Sequence, residues 1–339
     1  MAVNDLQFTI YDLRFTIWDL FYSMILNFIL FFAGFVLLIA GANYLVQGAS
    51  DIGKKFNISN IVVGMVIVGF GTSVPELVIS VTAVLKNSSE IAISNVIGSN
   101  ITNILLILGV LALITNVKAV SHTIWIKVPF VLFSVLLIFI LSHDNFLFEK
   151  PNLISLIDGI ILLILFLVFL VYLILKEKKD VTEEQFEKKI NIKKGSLFVI
   201  AGIAGVYFGG DWVVDNAIKF ARDFGLREGL IGATVLAVGS SLPELISSVV
   251  AIIKKNEGIA IGNIIGSNIF NTLLILGIAS MIQPLNVSLE QNYNIIINIF
   301  VTVLFFVFLI LGRYARISKL QGVFLILLFV GFIVYQIYL

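Results

Sequence analysis

The sequence predicts an all-α integral membrane protein: ten transmembrane helices arranged as two inverted-topology five-helix repeats. Three observations carry this expectation. The 339-residue chain is 59% hydrophobic and only 13% charged, with a mean hydropathy of +1.08, where a soluble domain has roughly a quarter of its residues charged. Apolar runs long enough to cross a bilayer follow one another from Met24 onward. The chain also repeats itself. Shifted by 168, residues 71–109 fall on 239–277 without a gap, and 24 of 39 positions are identical.

Taken in order, residues 1–23 carry a short duplication, Asp5-Leu6-Gln7-Phe8-Thr9-Ile10-Tyr11 followed by Asp12-Leu13-Arg14-Phe15-Thr16-Ile17-Trp18. They lack the basic start of a signal peptide. They read as a non-core extension, either an interfacial helix or translation upstream of a start at Met24. The expected spans are 24–47, 58–85, 90–115, 123–142 and 153–175 in a first repeat over 24–175. In a second repeat over 196–339 they are 196–218, 229–253, 258–283, 292–312 and 318–338. Between the repeats, 176–195 is rich in acids and bases and reads as a solvated linker, too short for a regulatory domain.

Composition excludes several classes. There is no Cys, so disulfide frameworks, thiolate catalysis and Cys-based zinc sites are out. A net charge of +1 argues for no nucleic-acid partner. The two histidines, His122 and His143, fall near span ends and read as solvated rather than as ligands. Asp158 and Asp211 also sit close to expected span ends and read as caps or interfacial residues.

Five spans per half is an odd number, so the second half enters the membrane from the opposite side. Secondary transporters use such inverted repeats. With both termini outside, the inside loops hold sixteen basic residues and the outside six. The positive-inside rule therefore places the protein in the cell membrane with both termini out and the 176–194 loop cytoplasmic.

The chemistry concentrates in Gly71-Thr72-Ser73-Val74-Pro75-Glu76 and its copy Gly239-Ser240-Ser241-Leu242-Pro243-Glu244. An acid at a helix centre in a bilayer costs roughly 2.5–3.5 kcal/mol on insertion scales. Neither span contains a basic residue to pair with its glutamate. Pro75 has no N–H and clashes with the carbonyl of Gly71, and Gly69 and Gly71 loosen the helix further. Carbonyls around 69–72 are expected to be released into a polar cavity, beside the hydroxyls of Thr72 and Ser73. The next span brings Asn95-Val96-Ile97-Gly98-Ser99-Asn100-Ile101-Thr102-Asn103. Ser99 and Asn103 share a helix face, as do Ser267 and Asn271, and Gly98 is expected to permit close backbone approach. Asn100 and Asn268 read instead as helix-to-helix glue. The donor set is all oxygen, which suits hard cations. Two carboxylates meeting near the midplane balance one Ca²⁺, and left empty they attract cations or protons.

These two paired blocks resemble the α-repeats of the cation/calcium exchanger superfamily, in its sodium/calcium exchanger branch of prokaryotic type. The resemblance runs from Met24 to the C-terminus. It implies ten helices, the first of each half forming a mobile pair that slides across an eight-helix core. It also implies that Glu76 and Glu244 are the central calcium-binding acids, with Thr72, Ser73, Ser240, Ser241, Ser99 and Ser267 as sodium ligands. Asn103 and Asn271 take the remaining corners, and the backbone carbonyls of Gly69 and Ala237 face sodium. Some relatives carry Asp at position 271, and Asn at both corners argues against potassium co-transport. Ser94 stands where the second repeat has Gly262, and Thr72 where it has Ser240.

The expected function is a secondary-active antiporter exchanging Ca²⁺ for Na⁺ by alternating access. No cofactor and no obligate oligomer is expected, and the partners are the two ions and the bilayer. The alternative is an H⁺/Ca²⁺ antiporter, since the same carboxylates can carry protons. A cation channel fits less well, because channels usually gather filter residues from several subunits around a shared axis. An intramembrane hydrolase lacks a nucleophile–base pair, and the surrounding Ser, Thr and Asn oxygens suit cations better.

Overall fold

A segment in lipid must satisfy its own backbone N–H and C=O groups, so apolar runs of this length become helices. The computed structural model describes the backbone of residues 2–115, 117–118, 123–143, 152–176, 191–225, 237–311 and 316–338. Within these, side chains are described from Met24 onward, except at 117–118, 123–124 and 237. The helices are α1 (Ala2–Phe56), α2 (Asn60–Thr72), α3 (Val74–Leu85), α4 (Ser89–Ile114), α5 (Trp125–Leu141) and α6 (Leu156–Lys176). They continue with α7 (Ile192–Asp223), α8 (Leu242–Ile253), α9 (Glu257–Ile282), α10 (Leu289–Leu311) and α11 (Lys319–Tyr338), and a single turn, Ala237–Gly239, precedes α8.

Ten separate spans are not what the described residues show. Seven helices are long and apolar enough to cross a membrane alone: α1, α4, α6, α7, α9, α10 and α11. The pair α2 and α3 makes an eighth path, bent by 45°. α5 and α8 are apolar but shorter. α8 starts only at Leu242 because Pro243 and the Ser240-Ser241 turn interrupt the run expected over 229–253. Residues 229–236 of that run, most of the 176–195 linker and His122 lie outside the described residues. At the other ends, α1 and α7 run past the expected 47 and 218.

α6, α10 and α11 start alike. Each opens on a serine whose backbone N–H donates to the side chain three residues on: Ser155 to Asp158, Ser288 to Gln291 and Ser318 to Gln321, at 2.7, 2.8 and 2.8 Å. The backbone N–H of that third residue donates back to the serine Oγ, at 3.3, 3.5 and 3.4 Å, which completes a capping box, and this is the role of Asp158. His143 closes α5 through a 2.6 Å contact of Nδ1 with the Phe139 carbonyl. It is a half-buried cap, not a solvated side chain, because α5 ends there and leaves carbonyls without helical donors. Two short antiparallel strand pairs tie distant segments together. β1 (Val117–Lys118) pairs with β4 (Arg316–Ile317), and β2 (Leu153–Ile154) pairs with β3 (Leu285–Asn286).

Buried and exposed surfaces are distributed as lipid requires. Leu167, Val171 and Ile174 of α6 and Leu327 of α11 face outward, while Ser, Thr and Asn gather inside. α4 and α9 are the most enclosed helices, with 72% and 83% of their apolar windows buried. Where helices meet most closely, glycine permits it. A Cβ on Gly41 of α1 would lie 2.6 Å from the Gly205 carbonyl carbon of α7, and one on Gly266 of α9 would lie 2.4 Å from the Met65 carbonyl oxygen of α2. Small residues are what membrane helices use for such contacts. Gly98, expected to serve the same purpose, does not: a Cβ there meets nothing within 4 Å.

Gly266→Ala forces the α2 backbone to shift, and overpacking of this kind costs about 1–3 kcal/mol. The melting temperature of the detergent-purified protein should fall, while Gly98→Ala should leave it unchanged. Equal melting of the two variants would show that the α2–α9 approach does not depend on glycine.

Candidate functional site

The site is built from two helix breaks. Ser73 joins α2 to α3 with φ −84° and ψ 5°, and Pro75 is the second residue of α3. Ser241 precedes α8 with φ −95° and ψ 7°, and Pro243 is its second residue. A proline is tolerated in the first turn of a helix and has no N–H to offer the carbonyl four residues back, here Gly71 and Gly239. The expected release does not extend to Gly69. Its carbonyl accepts the Ser73 N–H at 3.1 Å and the Thr72 hydroxyl at 3.3 Å, because the chain stays helical up to Thr72 and turns only at Ser73. The backbone of Ala237 lies in the single turn before the second break.

Each break delivers a glutamate into the first turn of the next helix, where the helix dipole favours a carboxylate. Glu76 is fully buried and Glu244 is 1% exposed. One oxygen of each is bonded to a hydroxyl: Ser99 Oγ donates to Glu76 Oε1 at 3.5 Å, and Ser73 Oγ donates to Glu244 Oε1 at 3.4 Å. The second oxygen, Oε2, is bare in both, with no hydrogen-bond partner among the described residues.

Around the glutamates, one pattern is made twice. Asn95 Nδ2 donates to the Glu76 carbonyl at 3.2 Å and to Ser80 Oγ at 3.0 Å. Asn263 Nδ2 donates to the Glu244 carbonyl at 3.2 Å and to Ser248 Oγ at 2.9 Å. Asn263 Oδ1 also accepts the Thr72 hydroxyl at 3.1 Å. The remaining amides cross between the halves. Asn103 donates to Asn268, and Asn271 donates to Asn100, both at 3.2 Å, while Asn100 donates to Thr272 at 2.8 Å. Asn100 and Asn268 are thus helix-to-helix bonds, and they also orient the other two amides. Asn103 and Asn271 lie in π-helical turns, which re-aim side chains and recur at functional sites. Their amide oxygens, and the hydroxyls of Ser241 and Ser267, have no partner among the described residues.

Every bare atom named here is an oxygen. Two carboxylate oxygens, two amide oxygens and two hydroxyls are buried without a protein partner among the described residues. A buried polar atom without a partner is costly, so this arrangement suits a cation that supplies the missing interaction. Among the described residues no three His, Asp or Glu side chains gather into a conventional metal cluster. The hydrogen bonds to the carboxylates come from neutral hydroxyls.

A cavity of about 240 Å³ lies between α3 and α7, lined by Pro75, Val78, Ile79, Asp211, Asp215 and Ser240, among others. Asp211 lies within α7, which continues to Asp223, and lines this cavity. Sequence reasoning gave no role to Asn95, Asn263, Ser80, Ser248 or Thr272. For the first four the available signal was identity in both copies of the repeat at polar positions.

Asn263→Ala removes the donor to Glu244 and Ser248 and the acceptor for Thr72. The loss of buried hydrogen bonds should destabilise the protein by about 1–3 kcal/mol, measured as unfolding in detergent. Wild-type stability would mean that these bonds do not hold α8 against α9.

The family model described as "Sodium/calcium exchanger protein" matches residues 26–175 and 194–338. The chain is 34% identical over 287 residues to CaxA of Alkalimonas amylolytica, covering 84% of this chain and 90% of that protein. It is 30% identical over 332 residues to the sodium/calcium exchanger MaX1 of Methanosarcina acetivorans, covering 86% and 92%. Among solved structures it is similar to the sodium-calcium exchanger NCX_Mj soaked with 10 mM Na⁺ and no Ca²⁺, with a TM-score of 0.80, 30% identity, and coverage of 92% of this chain and 99% of that one.

Proposed function

Because the chain belongs to the sodium/calcium exchanger protein family, a family of multi-pass membrane cation antiporters rather than enzymes, we propose that it exchanges Ca²⁺ for Na⁺ across the cell membrane by alternating access. The observation that carries the reading is the set of bare buried oxygens on Glu76, Glu244, Asn103 and Asn271. Ca²⁺ takes six to eight oxygen ligands and is neutralised by two carboxylates. Na⁺ is equally a hard cation, and Thr72, Ser73, Ser99, Ser240, Ser241 and Ser267, with the carbonyls of Gly69 and Ala237, supply neutral oxygens around the same centre. Because both ions need the same carboxylates, occupancy is mutually exclusive, and exclusion is what makes exchange obligatory.

The paired hydrogen bonds at an offset of 168 support two equivalent five-helix repeats, their odd number of spans an inverted arrangement, and the bias of basic residues to the inside loops both termini outside with the linker in the cytoplasm. On this reading α1 and α7 are the elements that expose the centre to each side in turn. No cofactor takes part, since the work comes from an ion gradient. Proton coupling is the second reading, because each glutamate has a bare oxygen that can hold a proton as well as a metal ion.

In proteoliposomes at fixed pH, an outward sodium gradient should drive ⁴⁵Ca²⁺ uptake. Uptake under a proton gradient alone, with none under sodium, would transfer the driving role to H⁺. Glu76→Gln and Glu244→Gln should each abolish uptake while the protein remains monodisperse, since the carboxamide keeps the volume and removes the charge. Transport at the wild-type rate by either variant rules out the two-carboxylate centre.

A further inference from the structure

The repeat allows one flank of the site to be compared with the other, residue by residue. On the first flank α1 packs against α8, and Ala42, Val46 and Ser247 are buried there. Shifted by 168, the matching flank sets α7 against α3. There Val214, Pro75 and Ile79 are only half-buried and Val78 is exposed, because the cavity of about 240 Å³ separates the two helices. One flank is closed and the other open.

The closed flank has a bolt. Lys254, the first residue after α8, donates from Nζ to the backbone carbonyl of Asn43 in α1 at 2.8 Å. It bridges the helix expected to move and the core it moves against. Partial burial pushes its ammonium below the usual lysine value, and nearby Asp51 pulls the other way. The repeat places Lys86 at the matching position after α3, and Asp211 at the position of Asn43. Lys86 is exposed, and Asp211 and Asp215 stand on the cavity wall. The open flank thus carries the same bolt, undone.

We propose that Lys254 and Lys86 are alternating latches of the transport cycle: Lys254 holds α1 to α8 in the state seen here, and Lys86 takes the carbonyl of Asp211 when α7 closes on α3. The proposal rests on the alternating-access reading above. It adds two residues outside the ion site that set which side is open. The latches are not equivalent. Where Lys254 meets Asn43, and the next turn of α1 carries Gln47, Lys86 would meet the carboxylates of Asp211 and Asp215.

The chain has no cysteine, so single reporters are clean. Val78→Cys reports the open flank and Ile246→Cys its closed counterpart, each read as the labelling rate by a water-soluble maleimide on protein in nanodiscs. Adding Lys254→Met should raise the Ile246→Cys rate about tenfold, the scale of one charged hydrogen bond, and lower the Val78→Cys rate. Lys254→Arg should keep the wild-type pattern, and Lys86→Met should move both rates in the opposite sense. Unchanged rates in either methionine variant, or both reporters rising together as in a protein merely loosened, overturn the proposal. Sodium-driven ⁴⁵Ca²⁺ uptake by the chain with native lysines, measured alongside, separates this outcome from failure of the exchange reading itself.

Discussion

Two carboxylates buried in an apolar protein, without a basic partner among the described residues, are the constraint on which the rest of the structure depends. Desolvating a charge is costly unless something compensates it. Here compensation from the chain is partial. Two helix N-termini point at the glutamates, and one hydroxyl reaches one oxygen of each. A purely structural core would have completed the set with an arginine or dispensed with the charge. This one leaves an oxygen bare on each glutamate and on each flanking amide. In the proposed function, the balancing charge is the cargo.

The breaks that create the site also place it. Proline ends helical bonding without exposing backbone to lipid, because the freed carbonyls face inward. Asn95 and Asn263 then fasten each glutamate's own backbone to a serine one turn further along the same helix. The carboxylates therefore sit on a braced frame, while α1 and α7 contact each other through glycine backbone and reach the frame through side chains. Tight packing within the pair and looser packing against the frame is the division of stiffness that a moving pair requires.

Much of this was legible in the sequence, and the limits have physical causes. Glu76 and Glu244 stood out because an acid in an apolar run is expensive, and the repeat showed that there were two. The reading of Asn100 and Asn268 as helix-to-helix glue agrees with their bonds across the halves, which Asn103 and Asn271 share. Spacing along one helix does not say which helix lies opposite, however. So Asn95 and Ser80 went without a role, and Gly98 was given a close approach that Gly266 makes instead. The Gly69 carbonyl stays within helical bonding, because where the turn falls upstream of a proline depends on packing. The place of Asp211 on a cavity wall could not be read from hydropathy, which says nothing of which helix lies opposite.

The strand pairs and the bridges made by Asn103 and Asn271 join one half of the chain to the other. Val117 pairs with Ile317 and Leu153 with Asn286, Asn103 reaches Asn268, and Asn271 reaches Asn100. A chain holding only residues 24–175 would leave each of these groups without its partner, and its two amides would be left so in a buried interior. Two copies of such a chain could satisfy one another, since most of the partners have an equivalent in either half. Joining them in one polypeptide creates no new bond at the centre. It frees the two faces to diverge, and Asn43 and Gln47 on one side against Asp211 and Asp215 on the other are what that freedom has already produced.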